Sequence, residues 1–422
     1  MTRKAFILID ADNFYCSCER VWRPELWNKP VVVAGSGDGC VIARSPEAKS
    51  LGIKMSAPVH LVREEHWRSG LVICSANFPL YGDLSSRMMR TIATLVPALT
   101  VYSIDEAFCL CDGMSDDQLH QVAVQIRARV LAWCGLGTGA GIGPTPTLAK
   151  LASYAAKRVT KTGLVNLMQP EDRLMMLHLA PVSEVWGIGP SVTEKLRLMG
   201  INTAAQFAQL PRHVVEREFP VTVLRTQLEL NGICAVPLTG NDGVRDMINV
   251  SRSFTARIES EEELVAATVD FAARASAKLR KQGSVASAMR VYARTSPFDS
   301  KQAPYSKTVT VPFSQPVADA RVLARSAGQA ARSIYRPGVR FSKVGILLMG
   351  LQSATEMHQQ DMFGYDAGAE ERVMGAMDQI NAKYGRGTVK LGRSILSAEA
   401  ESRGKNVSPA FSCRISDLKL VY

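Results

Sequence analysis

Apolar runs and amphipathic stretches alternate along the first 166 residues. Short runs rich in Val, Ile and Leu predict strands, whereas apolar residues that recur every three or four positions predict helices. We predict strands at "AFILID" (5–10), "PVVVAG" (30–35) and "GTGAGIG" (137–143), a hairpin at 99–111, and helices at 115–135 and 145–158. This mixture predicts an α+β sheet domain over 1–35 and 71–166, with a small insertion at 36–70.

The pattern changes after residue 166. Short helical segments broken by Pro and Gly fill 167–240, and "TGNDGVRD" (239–246) is typical of a linker. A helix near 261–282 and three later strands then predict a second α/β unit over 244–350. The tail, 351–422, is polar and glycine-rich, with one helical pattern at 370–384 that stops at Gly385. The predicted fold class is therefore α+β and multidomain.

The composition predicts a folded protein without a membrane-spanning segment. Of its 422 residues, 46% are hydrophobic and 21% are charged, which favours about two to four domains. No apolar run is long enough to span a bilayer and no signal-peptide pattern is present, so we expect a cytoplasmic protein. The nine cysteines are scattered and never meet histidines at metal-ligand spacing, which favours reduced, buried thiols over zinc ligands.

Positive charge is concentrated in the second unit. The chain carries a formal net charge of +11, and 244–350 alone holds 17 Lys and Arg residues against 8 acidic ones, a net +9. A compact basic module is typical of nucleic-acid binding. A basic enzyme with a solvated surface is the alternative.

Three acids stand at the ends of predicted strands. Asp10 follows a buried strand, and Asp105 with Glu106 interrupts the predicted hairpin, where we expect the pair to form a two-residue turn. A carboxylate at a buried strand end is costly unless it is paired or bound to metal. A salt-bridged acid is the simple explanation for Asp10 alone. Three gathered acids instead match a two-metal centre for phosphoryl transfer.

Two lysines and two further segments suggest contacts with phosphate. Lys150 and Lys157 share one stripe of a predicted helix, which is either a triphosphate contact or a solvated face. "VWGIGPSVTEKLRLMGI" (185–201) places Gly187 and Gly189 before a helix, the arrangement of a helix-hairpin-helix that binds DNA phosphates; a packing element is the alternative. The glycines of "GTGAGIG" lack dinucleotide-binding spacing.

Strand alternation also gives the second unit a basic and aromatic face. In "SAMRVYART" (287–295), Arg290, Tyr292 and Arg294 fall on one side of the strand and apolar residues on the other. Such a face fits sequence-independent, salt-sensitive contact with a nucleic-acid backbone. An ordinary solvated face is the alternative.

Four blocks of the sequence resemble the Y-family translesion DNA polymerases, in particular their UmuC-type group. They are "DADNFYCSCE" (10–19), "YSIDEAF" (102–108), "TLAKLASYAAK" (147–157) and "VWGIGPSVTEKLRLMG" (185–200). The resemblance implies a right-hand polymerase with a ferredoxin-like palm (1–35 and 71–166), small fingers (36–70), a helical thumb (167–240) and a separate α/β little finger (244–350). It implies a template-directed DNA polymerase for error-prone translesion synthesis in the SOS response to DNA damage.

The resemblance also assigns site residues. It implies that Asp10, Asp105 and Glu106, with the backbone carbonyl of Ala11, hold two Mg²⁺ ions during nucleotidyl transfer from a dNTP to the primer 3′-hydroxyl. It further assigns four residues to the incoming nucleotide: Phe14, Tyr15, Lys49 and Lys157.

Tyr15 falls at the position of the steric gate, where a ring beneath the sugar 2′ position excludes ribonucleotides, although a core aromatic is the alternative. Pro46 is a departure, because many relatives carry a phosphate-contacting Tyr there.

The tail and the partners complete these expectations. "QQDMF" resembles a sliding-clamp-binding peptide, in which Gln359, Met362 and Phe363 would make the contacts. The group further implies primer-template DNA, a processed UmuD-like dimer and RecA as partners, and a nucleoid-associated location. A palm-type nucleotidyl cyclase and a non-enzymatic DNA-binding scaffold are the rival functions.

Overall fold

The computed structural model describes residues 3–66, 68–238, 245–297, 299, 302–354, 367–385, 387–392, 406–409 and 411–412. The chain divides into two compact units, each described here by itself. The first comprises Met1–Asp242 with Gly404–Tyr422, and the second comprises Gly243–Arg403. No helix among the described residues is long and apolar enough to cross a membrane.

The first unit is built on a five-stranded sheet and a smaller three-stranded sheet, followed by a group of helices. Its elements are β1 (Phe6–Ala11), α1 (Phe14–Val21), β2 (Val31–Ala34), β3 (Val41–Arg44), α2 (Pro46–Ser50), α3 (Val59–Glu65), β4 (Val72–Ser75), α4 (Phe78–Ala93), β5 (Ala98–Val101), β6 (Glu106–Leu110), α5 (Asp116–Cys134), β7 (Thr138–Gly143), α6 (Pro146–Arg158), β8 (Leu164–Asn166), α7 (Pro170–Leu179), α8 (Pro190–Leu198), α9 (Ala204–Ala208), α10 (Arg212–Glu218) and α11 (Val221–Leu230).

Strand β1 lies at the centre of the large sheet, whose order is β5-β6-β1-β7-β8. Its residues are almost all buried because helices cover both faces of the sheet. Ile7 and Ile9 join a core with α4 and α5 on one face, whereas Phe6 and Leu8 contribute to a cluster with Ala149 of α6 on the other. Burial on both faces explains the continuous apolar run that predicted this strand.

The glycines of β7 allow α6 to pack directly on its backbone. Gly139, Gly141 and Gly143 alternate along the strand and therefore share one face. A Cβ atom at Gly141 would lie 2.2 Å from the carbonyl oxygen of Ala149 and 2.2 Å from the backbone nitrogen of Ser153. The glycine-rich strand is thus a platform for a helix, in agreement with the rejection of a dinucleotide-binding loop.

The small sheet differs from the sequence prediction. Strand β2, predicted in the same domain sheet as β1, pairs instead with β3 and β4 in the order β3-β2-β4. The insertion at 36–70 contributes β3, and β4 follows it. Strands β3 and β4, which were not predicted, have four residues each, too few to show a clear pattern.

Helices α7 to α11 form a separate apolar core that includes Leu177, Leu196, Phe207 and Leu224. The same core contains Leu148, Leu151 and Ala155 of α6. The helical character predicted for this part of the chain is confirmed. Helix α6 therefore packs both on the large sheet and on the helices that follow it.

The second unit is a four-stranded antiparallel sheet with helices packed on one face. Its elements are β9 (Ile248–Ile258), α12 (Glu261–Lys281), β10 (Ser284–Arg294), β11 (Ser306–Val317), α13 (Ala320–Ile334), β12 (Phe341–Ser353) and α14 (Ala367–Tyr384). The strand order is β11-β10-β12-β9, and apolar residues of α12 and α13 bury the inner face.

The tail predicted at 351–422 is divided between the two units. Strand β12 extends to Ser353, and α14 belongs to the second unit, whereas the described residues after 404 belong to the first. The predicted helix is present and ends at Tyr384, directly before Gly385.

The packing of α6 on β7 predicts a cost for any side chain at Gly141. Gly141→Ala should lower the free energy of unfolding by about 1–3 kcal/mol or more, because the new methyl group meets rigid backbone. Gly82→Ala is the matched control, since Gly82 occupies an exposed position of helix α4 with open space around it. We expect that change to stabilise by about 0.5–1 kcal/mol. Urea unfolding measures both, and equal stability of Gly141→Ala and wild type would contradict the packing account.

Candidate active site

Asp10 and Glu106 face each other across two central strands. They are register partners in the antiparallel pair of β1 and β6. Directly opposed residues of an antiparallel pair project to the same side of the sheet, which here is the side that α6 covers. The side chain of Asp10 is 23% exposed and that of Glu106 is 19% exposed, so both acids lie at a partly closed strand end.

Asp105 lies in the turn that precedes β6, and the predicted two-residue turn at Asp105 and Glu106 is wrong. The backbone nitrogen of Tyr102 donates to the carbonyl oxygen of Glu106 at 3.0 Å, so the loop contains Ser103, Ile104 and Asp105. Glu106 is the first residue of the strand. The side chain of Glu106 therefore follows the alternation of side chains along the strand, whereas the side chain of Asp105, in the turn, does not have to.

The side chain of Ser103 explains why this turn needs neither Asn nor Gly. Its Oγ accepts hydrogen bonds from the backbone nitrogens of Asp105 at 3.2 Å and Glu106 at 3.0 Å, and it donates to Asp105 Oδ1 at 2.5 Å. A hydroxyl that satisfies turn backbone groups is a known feature of serine turns. The backbone nitrogen of Ala11 donates to the carbonyl oxygen of Asp105 at 2.9 Å, which ties the turn to the end of β1.

Two lysines of α6 neutralise the acids. Lys157 Nζ lies 2.7 Å from Asp10 Oδ1 and 3.2 Å from Asp12 Oδ1. Lys150 Nζ lies 3.0 Å and 3.1 Å from the two carboxylate oxygens of Glu106, and it sits 4.5 Å from the centre of the Tyr102 ring. The predicted lysine stripe is therefore real, and both of its members contact carboxylates.

The environment of Asp10 favours a nearby cation. Burial raises the pKa of Asp10 to about 6, the ammonium group of Lys157 opposes that rise, and the charges of Glu106 and Asp105 add to it. A desolvated carboxylate with two acidic neighbours is stabilised by positive charge. Positive charge therefore stabilises this site, and Lys157 supplies part of it.

The donor set fits a hard divalent cation. The groups at the strand ends are carboxylate and carbonyl oxygens, the ligands that Mg²⁺ prefers. Within the described part of the chain, no group of three or more His, Cys, Asp or Glu side chains is placed so that it could hold a metal ion. Glu106 is turned to Lys150 and does not line the cleft in front of Asp10 and Asp105. The chemistry of the donors fits the ion, while Lys150 and Lys157 bind the acids.

A cleft of about 610 Å³ opens in front of these acids. Its walls carry five basic residues, which are Arg44, Lys49, Lys157, Arg158 and Lys161. Burial and the like charges of Arg158 and Arg44 lower the pKa of Lys49, whose Nζ donates to Asn13 Oδ1. A cleft in which cations crowd one another is suited to a polyanion.

The sequence analysis missed several residues of this cleft. Asp12 binds Lys157, and Asn13 adopts the left-handed conformation with φ 47° at the start of α1. Arg44 and Arg158 line the wall, although neither was singled out. The second acid in "DADN" was a usable signal, whereas the two arginines are brought to the cleft only by folding.

Phe14 and Tyr15 differ in their surroundings. Phe14 is 4% exposed and belongs to the core, although it also borders the cleft. Tyr15 is partly buried and lines the cleft, with its ring stacked on Tyr81 at a centroid distance of 4.7 Å and an interplanar angle of 24°. Tyr15 is therefore both a packed aromatic and a residue of the cleft.

Pro46 is not among the residues that line the cleft; it is the first residue of α2.

The two glycines of the turn before α8 differ in their surroundings. Gly187 has φ +88°, and a Cβ atom there would lie 2.7 Å from Thr226 Oγ1, so close packing requires this glycine. Gly189 has open space around its Cα and caps α8, with Pro190 as the first helical residue. The predicted helix start is present, with an accessible backbone at Gly189.

The basic face of the second unit agrees with the predicted alternation. Arg290 and Arg294 are exposed, whereas Met289, Val291 and Ala293 are buried on the other side of β10. A Cβ atom at Gly345 would lie 2.5 Å from the ring of Tyr292, so the end of the tyrosine side chain packs closely on that glycine. Lys343 is the register partner of Arg294 and adds a further charge to the open face.

The predicted clamp-binding residues Gln359, Met362 and Phe363 lie outside the described residues.

Comparison with known proteins identifies the family. A model described as the impB/mucB/samB family matches 9–154, its C-terminal domain matches 245–362, and a domain of unknown function matches 371–421. The protein UmuC of Salmonella typhimurium is 36% identical over 98% of this chain and 99% of its own length. ImpB of Salmonella typhimurium is also 36% identical, over 98% of this chain and 99% of its own length.

More distant relatives agree. DNA polymerase IV 1 of Bacillus subtilis is 27% identical over 96% of each chain. A solved Y-family DNA polymerase chimera of Dbh and Dpo4 superposes with a TM-score of 0.69 at 18% identity, covering 83% of this chain and 99% of its own, which supports the fold. The chain belongs to the impB/mucB/samB family, the UmuC-type branch of the Y-family DNA polymerases. It is a DNA-directed DNA polymerase of the translesion type, and the cyclase and scaffold alternatives are set aside.

Proposed function

We propose that Asp10, Asp105 and Glu106 form the catalytic centre of this polymerase and hold two Mg²⁺ ions with the carbonyl oxygen of Ala11. The observation that carries the proposal is the cross-strand pair of Asp10 and Glu106 beside the tethered turn residue Asp105. When bound, such ions stabilise charge on the attacking and leaving oxygens of phosphoryl transfer. We assign the five-stranded sheet the role of the palm and the three-stranded sheet with α2 and α3 the role of the fingers.

The cleft is the proposed site of the incoming dNTP. Lys49, Lys157, Arg44 and Arg158 supply positive charge to a triphosphate, as expected of groups that position phosphates and balance their charge. Lys157 is well placed to exchange Asp10 for a phosphate oxygen, since it already bridges the acids and the cleft. Tyr15 is proposed as the steric gate beneath the sugar, with buried Phe14 as its support.

Two surfaces are proposed to hold DNA. Gly189 and the start of α8 present backbone nitrogens to a phosphate in the helical thumb. Arg290 and Arg294, together with the ring of Tyr292, form the DNA-binding face of the little finger, where hydroxyl-bearing residues such as Thr308 and Thr310 lie on the neighbouring strand.

The wider setting follows from the family. We propose that the protein acts on primer-template DNA in the cytoplasm at the nucleoid, in the SOS response, with a processed UmuD-like dimer, RecA and the sliding clamp as partners. The proposed clamp-binding residues are Gln359, Met362 and Phe363.

The metal-site assignment predicts a separation of synthesis from binding. Asp105→Ala and Glu106→Ala should lower primer extension by on the order of 10²-fold or more, because the ligands that stabilise the transition state are lost. Affinity for primer-template DNA should stay near that of wild type, as measured by fluorescence anisotropy. Normal extension by either variant would contradict the assignment.

The basic face predicts a charge-dependent loss of DNA affinity. Arg290→Ala and Arg294→Ala should each weaken binding uniformly across DNA sequences and reduce the slope of log affinity against log salt by about 1. Arg325→Ala is the control, because Arg325 is an exposed arginine on α13, on the helical side of the sheet. An equal effect of all three changes would show that only net charge matters and would remove the role of this face.

A further inference from the structure

The chain returns to the first unit near its C-terminus. We call residues 406–409 and 411–412 the C-terminal strap. The backbone nitrogen of Ser75 donates to the carbonyl oxygen of Asn406 at 2.9 Å, and the backbone nitrogen of Asn406 donates to Ser75 Oγ at 2.9 Å. Val407 forms a parallel bridge with Ser75, so the strap covers the end of edge strand β4. The strap lies within the stretch that matches a domain of unknown function.

Side chains hold the strap in place on both sides of this bridge. Asn77 Nδ2 donates to the carbonyl oxygen of Ser408 at 2.8 Å. Phe411 is 4% exposed and stacks on Trp22 with ring centroids 5.8 Å apart and an interplanar angle of 21°. Ser412 Oγ donates to Asp83 Oδ2 at 2.6 Å. A segment with a buried aromatic anchor is part of the packed unit.

Ser408 connects the strap to a buried acid. Its Oγ donates to Glu19 Oε1 at 3.1 Å and accepts from Asn77 Nδ2 at 3.1 Å. Glu19, on α1, has no exposed surface, and the hydroxyl of Tyr81 donates to the same carboxylate oxygen at 2.6 Å. A buried carboxylate is tolerated only when such bonds are made. The strap therefore supplies one of the two hydrogen bonds to Oε1 of the acid that anchors Tyr81, whereas among the described residues Oε2 makes no hydrogen bond and lies 3.8 Å from an Arg23 nitrogen.

Tyr81 in turn supports the ring that lines the cleft. It is fully buried on α4 and stacks on Tyr15 with ring centroids 4.7 Å apart. Phe78 closes the cluster edge-on to Tyr15, with centroids 6.0 Å apart. The position of the Tyr15 ring in the cleft is thus fixed through Tyr81 and Glu19, and Ser408 contacts the last member of this series.

We propose that the C-terminal strap is a positioning element of the nucleotide site, in which Ser408 and Glu19 hold Tyr81 against Tyr15 and so set the discrimination between deoxyribose and ribose. The inference rests on the proposed role of Tyr15 as the gate. It gives a function to a stretch of chain some 390 residues away in sequence from the residue it positions. Ser408 and Glu19 are positioning residues, since neither lines the cleft.

The test measures sugar discrimination in the full-length chain. Single-turnover incorporation of a dNTP and the matching rNTP, with the accessory proteins that extension requires, gives the ratio of their specificity constants. Ser408→Ala should lower this ratio by about fivefold, the order expected when one ordinary hydrogen bond is lost. The rate with the dNTP should change far less than the rate with the rNTP.

Matched variants separate positioning from general loosening. Ser412→Ala makes the same chemical change on the same strap but leaves both the Phe411 anchor and the contact with Glu19 in place, so it should keep the wild-type ratio. Glu19→Gln retains an acceptor oxygen and should keep most of the ratio, whereas Glu19→Ala should lose it. Phe411→Ala removes the aromatic anchor without touching Glu19 and provides a second way to release the strap should Ser408→Ala fold poorly; it should lower the ratio as well.

Tyr15→Ala and Tyr15→Phe distinguish failure of the inference from failure of the proposed gate. Tyr15→Ala should admit ribonucleotides and Tyr15→Phe should not, because the ring does the excluding. An unchanged ratio in Tyr15→Ala would remove the gate assignment itself. A lowered ratio in Tyr15→Ala, combined with wild-type ratios in Ser408→Ala, Glu19→Ala and Phe411→Ala, would overturn the role of the strap alone.

Discussion

The direct contact between α6 and the backbone of β7 is the constraint on which the active site depends. Alternating glycines remove every Cβ from one face of β7, and the helix lies against the bare strand. Two helical turns separate Lys150 from Lys157, which brings the first to Glu106 and the second to Asp10. The same helix belongs to the core of α7 to α11, so the position of the lysines is fixed by packing on two sides.

The charges of the site follow from that packing. Asp10 stands at a strand end where burial penalises its ionised form, and α6 supplies a nearby cation, Lys157. Lys49 also lines the cleft, and burial and the like charges of Arg158 and Arg44 lower its pKa. A site that combines a buried carboxylate with closely spaced basic side chains is suited to a metal-bound triphosphate. Tyr15 lines this cleft, and Phe78 and Tyr81 pack against its ring.

The sequence predicted the features that depend on local pattern. Strand β1, α5 and α6 have long apolar runs or clear helical periodicity, and the acids were visible because they interrupt such runs. The turn before β6 was mispredicted because a side-chain hydroxyl, that of Ser103, satisfies its backbone. The membership of β2 in the small sheet and the docking of the strap depend on tertiary partners far away in sequence, such as Ser75 and Asn406. No local pattern reports such contacts.

The most direct test of the account is a crystal structure with primer-template DNA, a non-hydrolysable dNTP analogue and Mn²⁺ in place of Mg²⁺. Anomalous scattering then locates the ions independently of any assumption about ligands. The account predicts manganese peaks in contact with carboxylate oxygens of Asp10, Asp105 and Glu106, with Glu106 released from Lys150. Peaks bound elsewhere, or an active complex in which Lys150 still holds Glu106 and no ion contacts it, would contradict the central claim.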